Sequence, residues 1–443
     1  MPRRIVIIGH GPAGRTAAGY ASLTDRNAEI TVLNASEHDV YHPCSLPFAI
    51  GGHVDLDAIV EEVHYRKVRL LNRTRATAID PEARTVSAVG PDGEEMAFGY
   101  DALLIATGSR PVVPAAIEST DRPEVLTLRT PHDAAAIIER AGTARRAVVV
   151  GGSAIGLELS SELAGRGIST TLVEAETTLM PGRLDPDMSS AVERHLGADG
   201  VDVVTGCPVT AIRPADDDRA VLVRAGDRTF GADLVVMALG VAPQIDLARA
   251  AGCDIGPSGG IRVAPRMETF VPGIYAAGDC VETVDLVTGR PTTMCLAGIA
   301  TRQGRVAGIV MAGGDASFPG AVGSWVVATR SFMVGGAGLT DRAAAAAGFD
   351  VVSSRVNALL RPHYISDERI GIRLVADRSG RLLGGQVIGR ERVAETVNYL
   401  ALALMAGLDV EGLTVADWCY APLATECLVP MASAADAILR RMR

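Results

Sequence analysis

Aromatic residues are scarce in this chain, at 4% of 443 positions. No stretch of about 18 consecutive apolar residues occurs, so no transmembrane helix is expected. No Cys-x-x-Cys pair occurs among the seven cysteines Cys44, Cys207, Cys253, Cys280, Cys295, Cys419 and Cys427. Their odd number and wide scatter argue against a disulfide framework, a zinc ribbon and a dithiol motif of that spacing, so no metal site is expected. A reducing, cytoplasmic setting fits such a set of thiols. No polybasic run stands out and the net charge is −10, which gives a nucleic-acid partner no electrostatic footprint. Arg3 and Arg4 precede only four apolar residues, Ile5 to Ile8. That is a strand leading into a turn and is too short for a signal peptide.

What is abundant is alanine and glycine, and the glycines are ordered. Ile5 to Ile8 run into Gly9-His10-Gly11-Pro12-Ala13-Gly14 and then a helical Arg15-Thr16-Ala17-Ala18. In this strand, G-x-G-x-x-G, helix order the first glycine makes the turn, the second admits a pyrophosphate, and the third lets helix and strand approach. A second strand, Glu29 to Leu33, follows. It is succeeded by Asn34, where an acid ordinarily holds the ribose; an amide still bonds a hydroxyl, and Glu37 is the alternative acid. About 140 residues later the unit recurs as Ala147 to Val150, then Gly151-Gly152-Ser153-Ala154-Ile155-Gly156, with Leu157 and Glu158 opening a helix. Here Ser153 replaces the middle glycine and adds a side chain where pyrophosphate approaches. The strand Ser169 to Val173 is followed by Glu174. An acid there suits the 2′-hydroxyl of NADH and repels the 2′-phosphate of NADPH, which leaves NADPH the less favoured donor. One chain with two such units usually binds two dinucleotides.

Further stretches close the two units. They are Leu103-Leu104-Ile105-Ala106-Thr107-Gly108-Ser109-Arg110-Pro111, Leu239-Gly240-Val241-Ala242-Pro243, and Gly273-Ile274-Tyr275-Ala276-Ala277-Gly278-Asp279-Cys280. In this order, with the two glycine motifs, the chain resembles the FAD-dependent pyridine nucleotide-disulfide oxidoreductases. The resemblance implies an α/β protein with two Rossmann-like dinucleotide-binding domains, one for FAD and one for NAD, and a C-terminal α+β dimerisation domain. It implies an FAD domain at about 1–112 and 246–318, a nicotinamide domain at about 113–245, and an interface domain at about 319–443. Asp279 would hydrogen-bond the FAD ribityl chain, and Leu296-Ala297 would open a helix near the flavin. Ala76, Ala106, Thr107, Gly108 and Gly278 join the expected FAD positions, and Ile155, Gly156, Glu158, Glu174 and Gly240 the nicotinamide positions. Helices are expected near Ala343 to Ala347 and from Val393 to Ala406, and a strand from Gly323 to Ala328.

Dithiol members of this family carry Cys-x4-Cys or Cys-x2-Cys. Here Tyr41-His42-Pro43-Cys44-Ser45-Leu46-Pro47 holds one cysteine, ten residues after Asn34. This resembles the single-cysteine branch, which contains coenzyme A disulfide reductases, NADH oxidases and peroxidases, and persulfide or sulfur reductases. A lone thiolate suffices to carry electrons to a mixed disulfide or a sulfenic acid. Pro43 suits the first turn of a helix whose dipole would depress the thiol, and His42 is a second candidate partner. Oxidases and peroxidases place a histidine where Pro12 stands, so the acid/base group of oxygen chemistry is missing. Tyr364 and Tyr420 sit where coenzyme A disulfide reductases have two tyrosines that reach the other subunit's cysteine. Pro43 and Val40 depart from the asparagine and serine common in those enzymes, and Ala421 replaces the histidine of a His-Pro-Thr-x-x-Glu segment. Cys419 and Cys427 flank Tyr420; they read first as buried small hydrophobes and second as a resolving thiol.

The function implied is NAD(P)H-dependent reduction of a small disulfide or persulfide through FAD and Cys44, in a homodimer. Alternatives are an oxidase reducing oxygen or peroxide, an electron-transfer reductase for a protein partner, and a degenerate binding protein suggested by Asn34 and Ser153.

Overall fold

The computed structural model describes residues 1–118, 122–215 and 220–443. The chain divides into two compact units, Met1–Pro43 with Leu56–Pro111 and Val241–Gly323, and Cys44–Asp55 with Val112–Gly240 and Ser324–Arg443.

The first unit is built on a five-stranded parallel sheet in the order Ile274–Ala276, Ala102–Ile105, Arg4–Ile8, Glu29–Leu33, Val68–Leu71. Ile5, Ile7, Leu103, Leu104 and Ile105 are fully buried, as continuous apolar strands covered on both faces require. The helices Pro12–Thr24 and Ala297–Met311 cross closely. A Cβ at Gly304 would lie 2.2 Å from the Ala13 carbonyl oxygen, so only glycine permits that approach. An antiparallel meander, Arg75–Asp80, Thr85–Val89 and Glu95–Gly99, completes this part.

The second unit repeats the plan. Its parallel sheet runs Val125–Thr127, Leu234–Met237, Arg146–Val150, Ser169–Val173, Val201–Val204, again with a three-stranded meander. The repetition extends to single side chains. Arg4 binds Asp101 through its amide (2.8 Å) and guanidinium (2.9 Å), and Arg146 binds Asp233 in the same way (2.9 and 2.9 Å). Hydrogen bonding to Arg4 holds the Asp101 carboxyl down at about 2.

The second unit also holds an antiparallel sheet in the order Trp325–Ala328, Met333–Gly338, Leu382–Gly389, Arg369–Asp377, Val351–Leu359. Helices form at Asp341–Ala347 and Val393–Ala406. Along the latter, Val393, Thr396, Val397, Leu400 and Ala403 are buried, a 3.6-residue stripe laid on Met333–Gly338 and Leu382–Gly389. Each buried leucine or valine contributes about 1.5–3 kcal/mol. Its other face exposes Tyr399, Leu402 and Met405, apolar area of a kind that marks an interaction surface. Among the described residues, no helix is long and apolar enough to cross a membrane.

Candidate functional site

In the first unit the glycine turn forms a cradle. Gly9 has φ +99°, and a Cβ there would sit 2.3 Å from the Ala106 carbonyl oxygen. At Gly14 a Cβ would meet the Gly9 carbonyl oxygen at 2.0 Å. Gly11 is different: a Cβ there would meet nothing within 4 Å. Gly11 caps the helix Pro12–Thr24 with no side-chain hydrogen bond, and Pro12 occupies the first turn. The helix N-terminus is therefore not capped by a side chain, as a phosphate-binding turn needs. The second wall is the segment Ala106 to Ser109, cinched by Gln244. The Gln244 amide donates to the carbonyl oxygens of Thr107 (3.1 Å) and Ser109 (3.2 Å), and the Thr107 hydroxyl donates to the Gln244 carbonyl oxygen at 2.6 Å. Gly278, at φ +92°, donates its amide to buried Gln303 (2.9 Å), and Asp279 accepts the Ser109 hydroxyl at 2.8 Å. Leu296 is the N-cap of Ala297–Met311, and half-buried Ala76 lies on the strand Arg75–Asp80.

The second unit copies this turn. Gly151 has φ +108°, and a Cβ at Gly156 would be 2.0 Å from the Gly151 carbonyl oxygen. Ser153 is the N-cap of the helix Ala154–Gly165: its hydroxyl accepts from the Gly156 amide (3.3 Å) and donates to the Ala238 carbonyl oxygen (2.8 Å). Its polar atom is thus committed to capping. Glu174 is buried, and each carboxylate oxygen accepts a backbone amide, from Gly152 (2.6 Å) and Glu176 (2.8 Å). Ile155 follows Ser153 in the first turn of that helix, and Gly240 has φ +96°. Glu158 is half-buried, with the Ala328 amide donating to it at 3.4 Å. Burial raises its carboxyl to about 8, the Ala328 hydrogen bond opposing and the charge of Glu162 adding to the rise.

Cys44 is exposed and lies in a 3₁₀ turn, Pro43–Ser45, before the short helix Leu46–Gly51. The first α-helical residue is thus Leu46, two positions after Cys44, because Pro43 opens the 3₁₀ turn instead. Tyr364 and Tyr420, 56 residues apart in sequence, are brought together, and the neighbouring Tyr364 hydroxyl raises the Tyr420 phenol above its ordinary range. Both are exposed, at 66% and 48%.

Two cradles, the exposed Cys44 and a tyrosine pair can be set beside known proteins. Residues 3–304 match the pyridine nucleotide-disulphide oxidoreductase model, and residues 325–432 match the dimerisation domain of the same family. The chain belongs to the pyridine nucleotide-disulphide oxidoreductases, and it is an enzyme. It is 34% identical to an NADH oxidase of Methanocaldococcus jannaschii, covering 99% of both chains. It is 32% identical to an NAD(P)H coenzyme A polysulfide/persulfide reductase of Pyrococcus horikoshii, over 95% of each. The structure of an NAD-dependent persulfide reductase from A. fulgidus superposes with a TM-score of 0.94 at 34% identity, covering 99% of this chain and 83% of that one.

Within this family frame several side chains behave differently from the expectation drawn from sequence. Cys419 and Cys427 are exposed, not buried; they lie in the dimerisation domain, where a surface that meets another protein has the composition of a core. Asn34 uses both amide hydrogens, on the His38 carbonyl (2.8 Å) and Asn72 (2.8 Å), and its oxygen accepts from Ser36 (3.2 Å). One lone pair is left for a hydroxyl. Glu37 pairs with Arg73 at 2.9 Å, and His42 with Glu61 at 2.8 Å. His10 is buried between the Asp39 carbonyl oxygen (2.6 Å) and the Tyr65 hydroxyl (2.9 Å). A carbonyl only accepts, so Nδ1 carries the proton and Nε2 accepts from Tyr65. Desolvation lowers the His10 pKa. Cys280 is buried, with its thiol pushed up by desolvation to about 11. Gln244 and Gln303 had no sequence signal beyond lying near the motifs, and Ser109 none beyond lying within one.

Proposed function

We propose that this oxidoreductase uses NADH, through FAD and Cys44, to reduce a persulfide or small disulfide, coenzyme A derivatives being the leading class. The observation that carries the proposal is Cys44 itself, an exposed thiol on a short turn. Supporting it, Pro12 stands where the oxidase histidine belongs and His10 has both ring nitrogens engaged. The relative from Pyrococcus horikoshii and the solved A. fulgidus enzyme, both named for persulfide reduction, point the same way. We assign residues 1–112 and 246–318 to FAD, 113–245 to the nicotinamide nucleotide and 319–443 to the homodimer interface. Gly9, Gly11, Pro12, Ala13, Gly14, Gly278 and Asp279 would hold FAD, with Asn34, Ala76, Ala106, Thr107, Gly108, Leu296 and Ala297 around it. Gly151, Ser153, Ile155, Gly156, Glu158 and Gly240 would receive the nicotinamide nucleotide, with Glu174 selecting NADH by its charge.

Bound FAD supplies the two-electron transfer between NADH and sulfur. The Cys44 thiolate attacks the inner sulfur of R–S–SH, forming a Cys44–S–S–R bond and releasing hydrosulfide. Two electrons and a proton then split that bond into the Cys44 thiolate and RSH. The sum is R–S–SH plus NADH plus a proton giving RSH, hydrogen sulfide and NAD⁺. Tyr364 and Tyr420, contributed across the dimer, protonate the departing sulfur.

Anaerobic turnover decides between this chemistry and the oxidase alternative. NADH oxidation is expected to need added coenzyme A persulfide or disulfide and to release one thiol per persulfide consumed. NADH consumption driven by oxygen alone, unaffected by either sulfur compound, would install the oxidase reading instead.

A further inference from the structure

Cys44 opens a segment whose anchoring uses a buried charge. The helix Leu46–Gly51 packs on the helix Ala154–Gly165. At that contact the Glu162 carboxylate is 1% exposed. His53, just beyond the short helix, places Nε2 2.8 Å from Glu162 Oε2. Arg330 places a guanidinium nitrogen 3.5 Å from the same oxygen and 3.4 Å from His53 Nε2, while its amide donates to Ser161 at 3.1 Å. Arg166 closes the set by donating to the Ile50 carbonyl oxygen at 2.7 Å. The neighbours are shaped to admit these groups. A Cβ at Gly51 would fall 2.0 Å from Glu162 Oε2, and one at Gly165 2.3 Å from the Arg330 guanidinium.

A buried carboxylate at a helix contact costs several kcal/mol of desolvation, and an apolar pair packs as stably. What an ion pair adds is a unique register. Here it joins the Cys44 segment to the helix that carries Ser153 at its cap and Glu158 one turn before Glu162.

We infer that Glu162, with His53 and Arg330, is the positioning element that holds Cys44 in register with the helix of the second glycine turn. The inference rests on the proposed role of Cys44. Glu162 acts through the segment it holds, not by touching substrate.

The test uses the FAD-loaded enzyme and two assays: NADH-dependent disulfide reduction, which needs Cys44, and NADH-dependent ferricyanide reduction, which does not. His53 is half exposed, so His53→Ala leaves the fold a fair chance where Glu162→Ala does not. In His53→Ala and Glu162→Gln, kcat for disulfide reduction is expected to fall about tenfold or more, with ferricyanide reduction kept within about twofold. His53→Gln, which keeps a donor facing Glu162, restores most of the loss. Equal falls in both assays, or no fall in either, overturn the inference. Cys44→Ser is run alongside: if it still reduces the disulfide, the functional proposal itself fails and this inference falls with it.

Discussion

Cys44→Ser is expected to lower kcat/KM for disulfide or persulfide reduction by about a thousandfold or more, while NADH-dependent ferricyanide reduction continues. Exchange at a disulfide needs a thiolate, and a serine hydroxyl does not ionise in the accessible range. No buried cysteine can take over. Cys253 and Cys280 are buried with thiols raised by desolvation, which keeps them protonated and shielded from substrate. Ferricyanide accepts electrons without a thiol, so its reduction reports the two dinucleotide sites alone. If the serine variant keeps full disulfide turnover, another thiol carries the electrons. Cys427, exposed and seven residues after Tyr420, is then the first to replace.

Arg373→Met is expected to destabilise the second unit by about 3 kcal/mol, because it strands the buried Asp185 carboxylate beside the half-buried Asp187 and Asp341. Arg373 donates to Asp185 (3.1 Å), Asp187 (3.1 Å), Asp341 and Ser353 (3.0 Å). Asp185 is 2% exposed and also bonds buried Gln386, whose amide nitrogen lies 2.6 Å away. One Asp341 oxygen is already buried without a hydrogen-bond partner. Two of these acids lie at helix starts, Asp185 capping Pro186–Ala198 and Asp341 opening Asp341–Ala347, where the dipole offsets only part of the charge. Chemical denaturation of the FAD-saturated protein checks this. Adding Asp341→Asn to the variant should recover part of the loss, since one unpaired charge is gone. A midpoint unchanged from wild type would mean that the acids are satisfied without Arg373.

The fold was legible wherever a residue type answers a backbone demand. Gly9, Gly14, Gly151 and Gly156 declare the two turns because any side chain there would collide with a carbonyl oxygen. The helix Val393–Ala406 is readable end to end, since Gly407 stops it in the left-handed region at φ +69°. Ser153 was readable as a helix cap, yet the glycine motif drew attention to the lost glycine instead of the gained hydroxyl. Tyr364 and Tyr420 could be joined only through the family resemblance, because nothing local links positions so far apart. Glu162 and His53 lie 109 residues apart, and a glutamate within an apolar helix stretch gives no sign of its partner. Cys419 and Cys427 misled because a face rich in Leu, Ala and Cys looks the same in sequence whether covered by its own chain or by another.

The most direct measurement is an anaerobic NADH titration of the purified FAD-loaded protein, wild type and Cys44→Ser side by side, followed at the flavin absorbance. If Cys44 is the electron-carrying sulfur, isolated as a mixed disulfide or sulfenic acid, wild type takes up about two electrons before the flavin bleaches, and the variant bleaches from the first addition. Identical bleaching of both from the first addition would contradict a redox role for Cys44 and move the electrons from flavin directly to oxygen or to another protein.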